Sequence, residues 1–139
     1  ILEDPMLILL DQETAAEYVT ADLGPGVTVE EVAAANPTWH LEDARIKHEA
    51  PAQAGREVLE NSFARNPGWN VVGAVAALGV PTLLLGAVPE RGPLVPPALG
   101  ASLAEMNPNI EFHTVAGGSH SMHRDEFDQF TRLVLQFVG

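Results

Sequence analysis

Apolar positions along this chain follow two patterns, and each predicts a different kind of element. Residues 80–86 read Val-Pro-Thr-Leu-Leu-Leu-Gly, a compact apolar run ending in glycine, and residues 110–115 form a second β-type run before Gly117-Gly118. Both predict short strands. Between them lie an acidic Pro89-Glu90-Arg91-Gly92 turn and an Ala/Leu-rich helix reaching Met106. After the second run, Phe127, Phe130, Leu133, Val134 and Phe137 recur at helical spacing, so the chain closes as strand, sharp glycine turn, helix, with Ser119-His120-Ser121 at the turn.

Upstream the helical period dominates. Ile1 and Leu2 end a strand that Asp4-Pro5 stops, because proline cannot donate to a β-ladder, and Met6 to Leu10 continue as an apolar run. Residues 12–20 are weakly helical, around Ala15, Ala16, Tyr18 and Val19, and Gly24-Pro25-Gly26 breaks them off. Thr28 with Glu31 makes a capping box ahead of Val32, and Asn36-Pro37 ends that helix. The pattern stays helical over 38–66, with a new start expected near Pro51, and Trp69, Val72, Val75 and Leu78 extend it to a cap at Gly79. A single crossover helix needs only about 10–15 residues. The stretch between the first two strands is far longer and reads as an inserted helical unit, leaving 1–10 and 80–139 as the sheet-bearing parts and 11–79 as the insertion.

Composition narrows the class of protein. The 139 residues are 46% hydrophobic and contain no cysteine, which fits a core of useful size without a disulfide framework and leans towards the cytoplasm. Seven Lys and Arg against 19 Asp and Glu give a net charge of −12, which repels phosphate backbones and makes nucleic acid an unlikely partner. No apolar run is long enough for a membrane span.

Chemistry concentrates at His120. Polar side chains at the carboxyl edge of a parallel sheet are where α/β proteins usually place their reactions. A histidine beside Ser and Gly is otherwise an ordinary solvated turn residue. What distinguishes this one is the preceding strand-helix-strand unit, which sets a carboxylate at the end of one strand and an imidazole at the end of the next.

These motifs together resemble the C-terminal half of an α/β-hydrolase. The Pro81-Thr82-Leu83-Leu84-Leu85 strand, the acidic turn, the helix, and the Ala116-Gly117-Gly118-Ser119-His120-Ser121 turn follow the order of that family's acid strand and histidine turn. The resemblance covers nearly the whole chain. It implies an α/β fold with about three strands of a parallel sheet, a mostly helical cap insertion, and His120 as the catalytic base. It also implies Trp39, His40, Phe63 and Trp69, with Tyr18, as pocket walls. Each of those aromatics also suits plain core packing.

The carboxylate partner of His120 is open at this level. Relatives carry an Asp where this chain has Val88, and valine cannot accept a hydrogen bond from an imidazole. Glu90, two residues on, is one replacement. Glu3, at the end of the first strand where some members of the superfamily carry their acid, is the preferred one. The nucleophile is absent from these residues: no Gly-x-Ser-x-Gly elbow occurs, and Ser119 reads as a turn residue.

The expected function is hydrolysis of an ester, lactone or related bond in a small apolar molecule, without a cofactor and with the nucleophile outside the chain. Dehalogenase or epoxide hydrolase chemistry stays within the same frame. One alternative is a non-catalytic hydrolase-like protein that binds a small molecule, which Val88 favours. Another is a metal site formed by His113, His120 and His123 with Asp125. The apolar run at Leu83-Leu84-Leu85 also predicts a sheet extending past these strands, completed by a segment carrying the elbow.

Overall fold

The computed structural model describes residues 1–9, 27–54 and 56–139. The helix expected over 12–20, Tyr18 with it, and the side chain of Phe63 lie outside the described residues. The chain divides into two compact units, one of Ile1–Ile8 with Asn70–Gly139 and one of Leu9–Trp69.

The first unit is built on three parallel strands, β1 (Leu2–Glu3), β2 (Thr82–Gly86) and β3 (Ile110–Thr114), in the order β1-β2-β3. Leu2 pairs with Leu84 and Glu3 with Leu85, while Thr82 to Gly86 run in register with Ile110 to Thr114. The unbroken Leu83-Leu84-Leu85 run follows from this central position, because alternate side chains of a flanked strand enter opposite cores. Leu84 joins Leu7, Val75, Val95, Leu103 and Ile110 on one face. Leu83 and Leu85 join Ala87, Val115 and Met122 on the other.

Helices close both faces. On the Leu84 side stand α4 (Val72–Ala76) and α5 (Pro97–Met106). The carboxamide of Asn107 fixes this corner, donating to the carbonyls of Ala76 (3.1 Å) and Leu78 (2.9 Å). Gly100 of α5 lies so close to Phe112 of β3 that an added Cβ would sit 2.2 Å from the ring. On the other face α7 (Phe127–Val138) lays Phe130, Leu133, Val134 and Phe137 against the sheet, the stripe its periodicity predicts. Phe127, Leu135 and Val138 remain more than half exposed.

The helix expected from Trp69 to Leu78 is shorter than its pattern, covering only Val72–Ala76 and packing in the sheet core rather than in the inserted unit. Trp69 sits in a turn instead, its carbonyl accepting from Leu9 N–H at 2.8 Å, and Asn70 Oδ1 accepts from Val72 N–H at 3.1 Å to start the helix. The boundary of the helical unit accordingly falls at Trp69, ten residues before Gly79.

The second unit contains α1 (Val29–Ala35), α2 (Leu41–Ala54) and α3 (Arg56–Ala64) among the described residues. The capping box at Thr28 and Glu31 is formed in both directions, and Asn36 caps the other end of α1. Pro51 differs from expectation: it lies inside α2 and does not open a new helix. Among the described residues no helix is long and apolar enough to cross a membrane.

Candidate active site

Parallel strands bring their carboxyl ends to one edge, so the segments after β1, β2 and β3 meet there by construction. Backbone bonds stitch them together. Asp4 N–H donates to the Leu85 carbonyl (2.7 Å), Val115 N–H to that of Gly86 (3.0 Å), and Val88 N–H to that of Gly118 (3.3 Å). Position 88 therefore serves through its main chain, which valine supplies as well as any residue.

The histidine turn is tight enough to need its glycines. Gly117 has φ +79°, and a Cβ there would stand 2.5 Å from a carboxylate oxygen of Glu126; one on Gly118 would stand 2.9 Å from Met122 Cβ. Asp125, at the end of α6 (Met122–Asp125), is buried and organises the turn from below. Its Oδ2 accepts from the Ser119 N–H (2.7 Å) and from the Ser119 hydroxyl, while Ser119 Oγ accepts from Ser121 N–H (3.1 Å). The Ser119 hydroxyl proton is thereby committed to a structural carboxylate, which matches its reading as a turn residue. Arg91, in the 3-10 turn Pro89–Arg91, lies 3.7 Å from the other oxygen of Asp125.

The turn presents His120 to a carboxylate, and that carboxylate is Asp4. His120 Nδ1–H donates to Asp4 Oδ2 at 3.3 Å; the aspartate side chain is fully buried and the imidazole 60% exposed. Asp4 is held by more than the ring: Leu94 N–H donates to Oδ2 (3.0 Å) and Val95 N–H to Oδ1 (2.9 Å). The loop after β2 thus supplies the donors that fix the Asp4 carboxylate. Burial pushes the Asp4 carboxyl up, but the His120 bond and the two backbone N–H groups outweigh it, and its pKa lies below the ordinary value. In return the Asp4 hydrogen bond raises the His120 imidazole above its ordinary 6.5, against the effect of partial burial.

Neither carboxylate favoured by the sequence contacts His120. Glu3 turns to His123 instead, its Oε1 accepting from the ring Nδ1–H at 2.6 Å and from the backbone N–H at 3.1 Å. Glu90 is exposed on the 3-10 turn. The carboxylate that meets the His120 ring is Asp4, the residue after Glu3. Adjacent strand residues point to opposite sides, and only Asp4 leaves the ladder, at φ +35° just before Pro5. Aspartate tolerates such a left-handed φ far better than glutamate does.

The remaining candidates are placed as follows. Trp39 is half-buried, and His40 and Trp69 are exposed, all in the helical unit. The metal alternative does not assemble: His113 Nε2 is bonded to Glu111 on β3 at 2.6 Å, and among the described residues no cluster of three or more His, Cys, Asp or Glu is able to hold a metal ion.

Three parallel strands layered between helices, with an aspartate-histidine pair at their carboxyl edge, define the fold as that of the C-terminal part of an α/β-hydrolase sheet. Solved structures agree on the fold. An N-formylmaleamic acid deformylase from Pseudomonas putida S16 superposes with a TM-score of 0.58 at 19% identity, over 95% of this chain and 54% of its own. An E-2-(acetamidomethylene)succinate hydrolase gives 0.61 at 17% identity, over 99% of this chain and 55% of its own. The chain therefore spans about half the length of each. No family model and no curated protein sequence matches it.

Proposed function

We propose that this chain supplies the base and the acid of a nucleophile-histidine-acid hydrolase, with His120 as general base and acid and Asp4 as its carboxylate partner. The observation that carries this is the hydrogen bond between the half-exposed ring of His120 and the fully buried Asp4 at the carboxyl edge of a parallel sheet. With Nδ1 committed to Asp4, Nε2 is the nitrogen available for proton transfer. As the nucleophile adds to the carbonyl carbon, its proton passes to Nε2, and the imidazolium formed is stabilised by the ionised Asp4. That proton then moves to the leaving group as its bond to carbon breaks. Water repeats the sequence: it loses a proton to Nε2 as it attacks the acyl intermediate, and the nucleophile departs reprotonated.

These 139 residues contain no Gly-x-Ser-x-Gly elbow, so the nucleophile comes from a segment outside them. In this reading further strands pair with β1, which among the described residues pairs with β2 alone. The helical unit selects the substrate, with Trp39, His40, Phe63 and Trp69 as candidate contacts, and the substrate is a small ester, lactone or N-acyl compound. N-acyl compounds enter the test set because the two similar structures are named for formyl and acetamido substrates. Asp4 beside His120 supports this reading over the binding-protein alternative, since it offers a carboxylate in place of the one missing at Val88.

The test is His120→Ala in the whole protein that carries these residues, assayed on a panel of chromogenic esters, lactones and N-acyl amides. Turnover should fall by roughly three orders of magnitude or more with the melting transition unchanged. Turnover within about threefold of wild type would remove His120 from the mechanism.

A further inference from the structure

Two carboxylate-imidazole pairs bridge the same two segments of chain, Asp4 with His120 and Glu3 with His123, and only the first has a place in the proposed chemistry. Their geometry differs in a telling way. The His120 contact is long, 3.3 Å, on a ring that is 60% exposed. The His123 contact is short, 2.6 Å, between side chains 40% and 25% exposed, and the same Glu3 oxygen also takes the His123 backbone N–H at 3.1 Å. A carboxylate oxygen that accepts both donors of one residue fixes that residue's main chain as well as its ring. The ring also packs against Phe130, T-shaped with centroids 6.1 Å apart.

We propose that Glu3 and His123 form a positioning clamp that sets the separation of Asp4 and His120. Glu3 immediately precedes Asp4, and His123 is the second residue of the short α6, three positions after His120. Locking positions 3 and 123 together fixes how closely the end of β1 approaches the histidine turn. The weaker, more exposed bond from His120 to Asp4 then forms at a distance it does not have to enforce. This inference rests on the hydrolase reading for its effect on turnover, though not for its effect on the imidazole.

Sequence spacing makes the clamp specific. Asp4 departs from the strand while Glu3 is still in register with Leu85, so Glu3 is anchored to the sheet and Asp4 is carried on the turn beyond it. The charged groups on the segments that carry this site are Glu3 at the end of β1 and Asp4 just beyond it, His123 and Asp125 of α6, Glu126 beside Gly117, and Arg91 lying against Asp125. Of these, Asp4 and Glu3 act to raise the imidazole pKa.

The experiment compares Glu3→Ala, His123→Phe and His123→Asn in the whole protein, with His120→Ala alongside. Phenylalanine keeps a ring against Phe130 but removes the Nδ1 donor; asparagine places an N–H group close to where Nδ1 stood. The readouts are kcat, KM and the His120 titration midpoint from its imidazole NMR signal. Glu3→Ala and His123→Phe should lower kcat roughly 10- to 100-fold with KM within about twofold, the loss expected from a misplacement of an ångström or less. In both, the His120 midpoint should move down towards the ordinary value, and His123→Asn should restore kcat and midpoint. A His123→Phe protein with wild-type kcat and midpoint overturns the clamp, as does an asparagine variant as impaired as the phenylalanine one. If Glu3→Ala does not fold, the His123 pair decides. If His120→Ala retains turnover, the hydrolase reading fails, and the clamp stands or falls on the His120 midpoint alone.

Discussion

Replacing Asp4 by asparagine tests the acid with the least disturbance of shape. Asparagine tolerates the left-handed φ of +35° at this position, so the backbone needs no rearrangement. The consequences are electrostatic. The two Asp4 oxygens accept from Leu94 N–H, Val95 N–H and His120 Nδ1–H. An amide offers one acceptor oxygen, and its NH2 group must face at least one of these donors. If the oxygen stays with Val95, both Leu94 N–H and His120 lose their acceptor. A hydrogen bond to a charged group contributes about 1.5–3 kcal/mol, and the His120 share is smaller because that ring is largely exposed. The expected loss of stability is therefore about 2–4 kcal/mol, measurable by urea denaturation.

Turnover should suffer more than stability. Without the acceptor at Nδ1 the imidazole is free to adopt the wrong tautomer, and loss of the acid in triad chemistry costs on the order of 10⁴ in kcat. Steady-state assay on the most reactive ester of the panel, with Glu90→Gln as the control, provides the comparison. Glu90 is exposed and should be silent. An Asp4→Asn enzyme retaining more than about a tenth of wild-type kcat, or a Glu90→Gln enzyme losing that much, would falsify the assignment of the acid.

Two further outcomes follow from the same geometry. In the proposed mechanism His120 acts as a neutral base, and its pKa is raised above 6.5, so kcat/KM should fall as pH drops through that raised value, and in Asp4→Asn the residual activity should show this limb at lower pH. The pair's stability has the opposite sign for its two members. The Asp4 share is present above about pH 4 and lost as pH falls through its lowered pKa; the His120 share is complete below about 6.5 and lost as pH rises through its raised pKa, so denaturation midpoints should be highest between the two. Gly100→Ala puts a methyl group 2.2 Å from the Phe112 ring on the buried side of β3, and should destabilise the protein by about 1–3 kcal/mol in urea melts. An alanine variant as stable as wild type would show that this helix is free to shift away from the sheet.

Much of this protein was legible from local pattern. The Leu83-Leu84-Leu85 run, the Gly117-Gly118 turn and the stripe from Phe130 to Phe137 were readable because each depends on the period of side chains along one element. The capping box at Thr28 and Glu31 was readable because its partners lie three residues apart. The extent of α4 was not. Its apolar positions fit a longer helix, and only the contacts of Trp69 and Asn70 with the chain after β1 show where it starts.

The choice among Glu3, Asp4 and Glu90 is of a different kind. All three stand at the carboxyl edge of the sheet, and the partners of the first two lie 90 to 120 positions away in the chain: Leu94 and Val95 with His120 for Asp4, His123 for Glu3. Sequence placed carboxylates and imidazoles at that edge, because strand ends and glycine turns are local features. Which carboxylate meets which ring depends on the register of β1 against β2, which faces Glu3 to Leu85 and carries Asp4 one step beyond. A slip of one residue in that pairing reverses which side each side chain takes, so the pairing of acid and base is decided by long-range strand register, which no local period encodes.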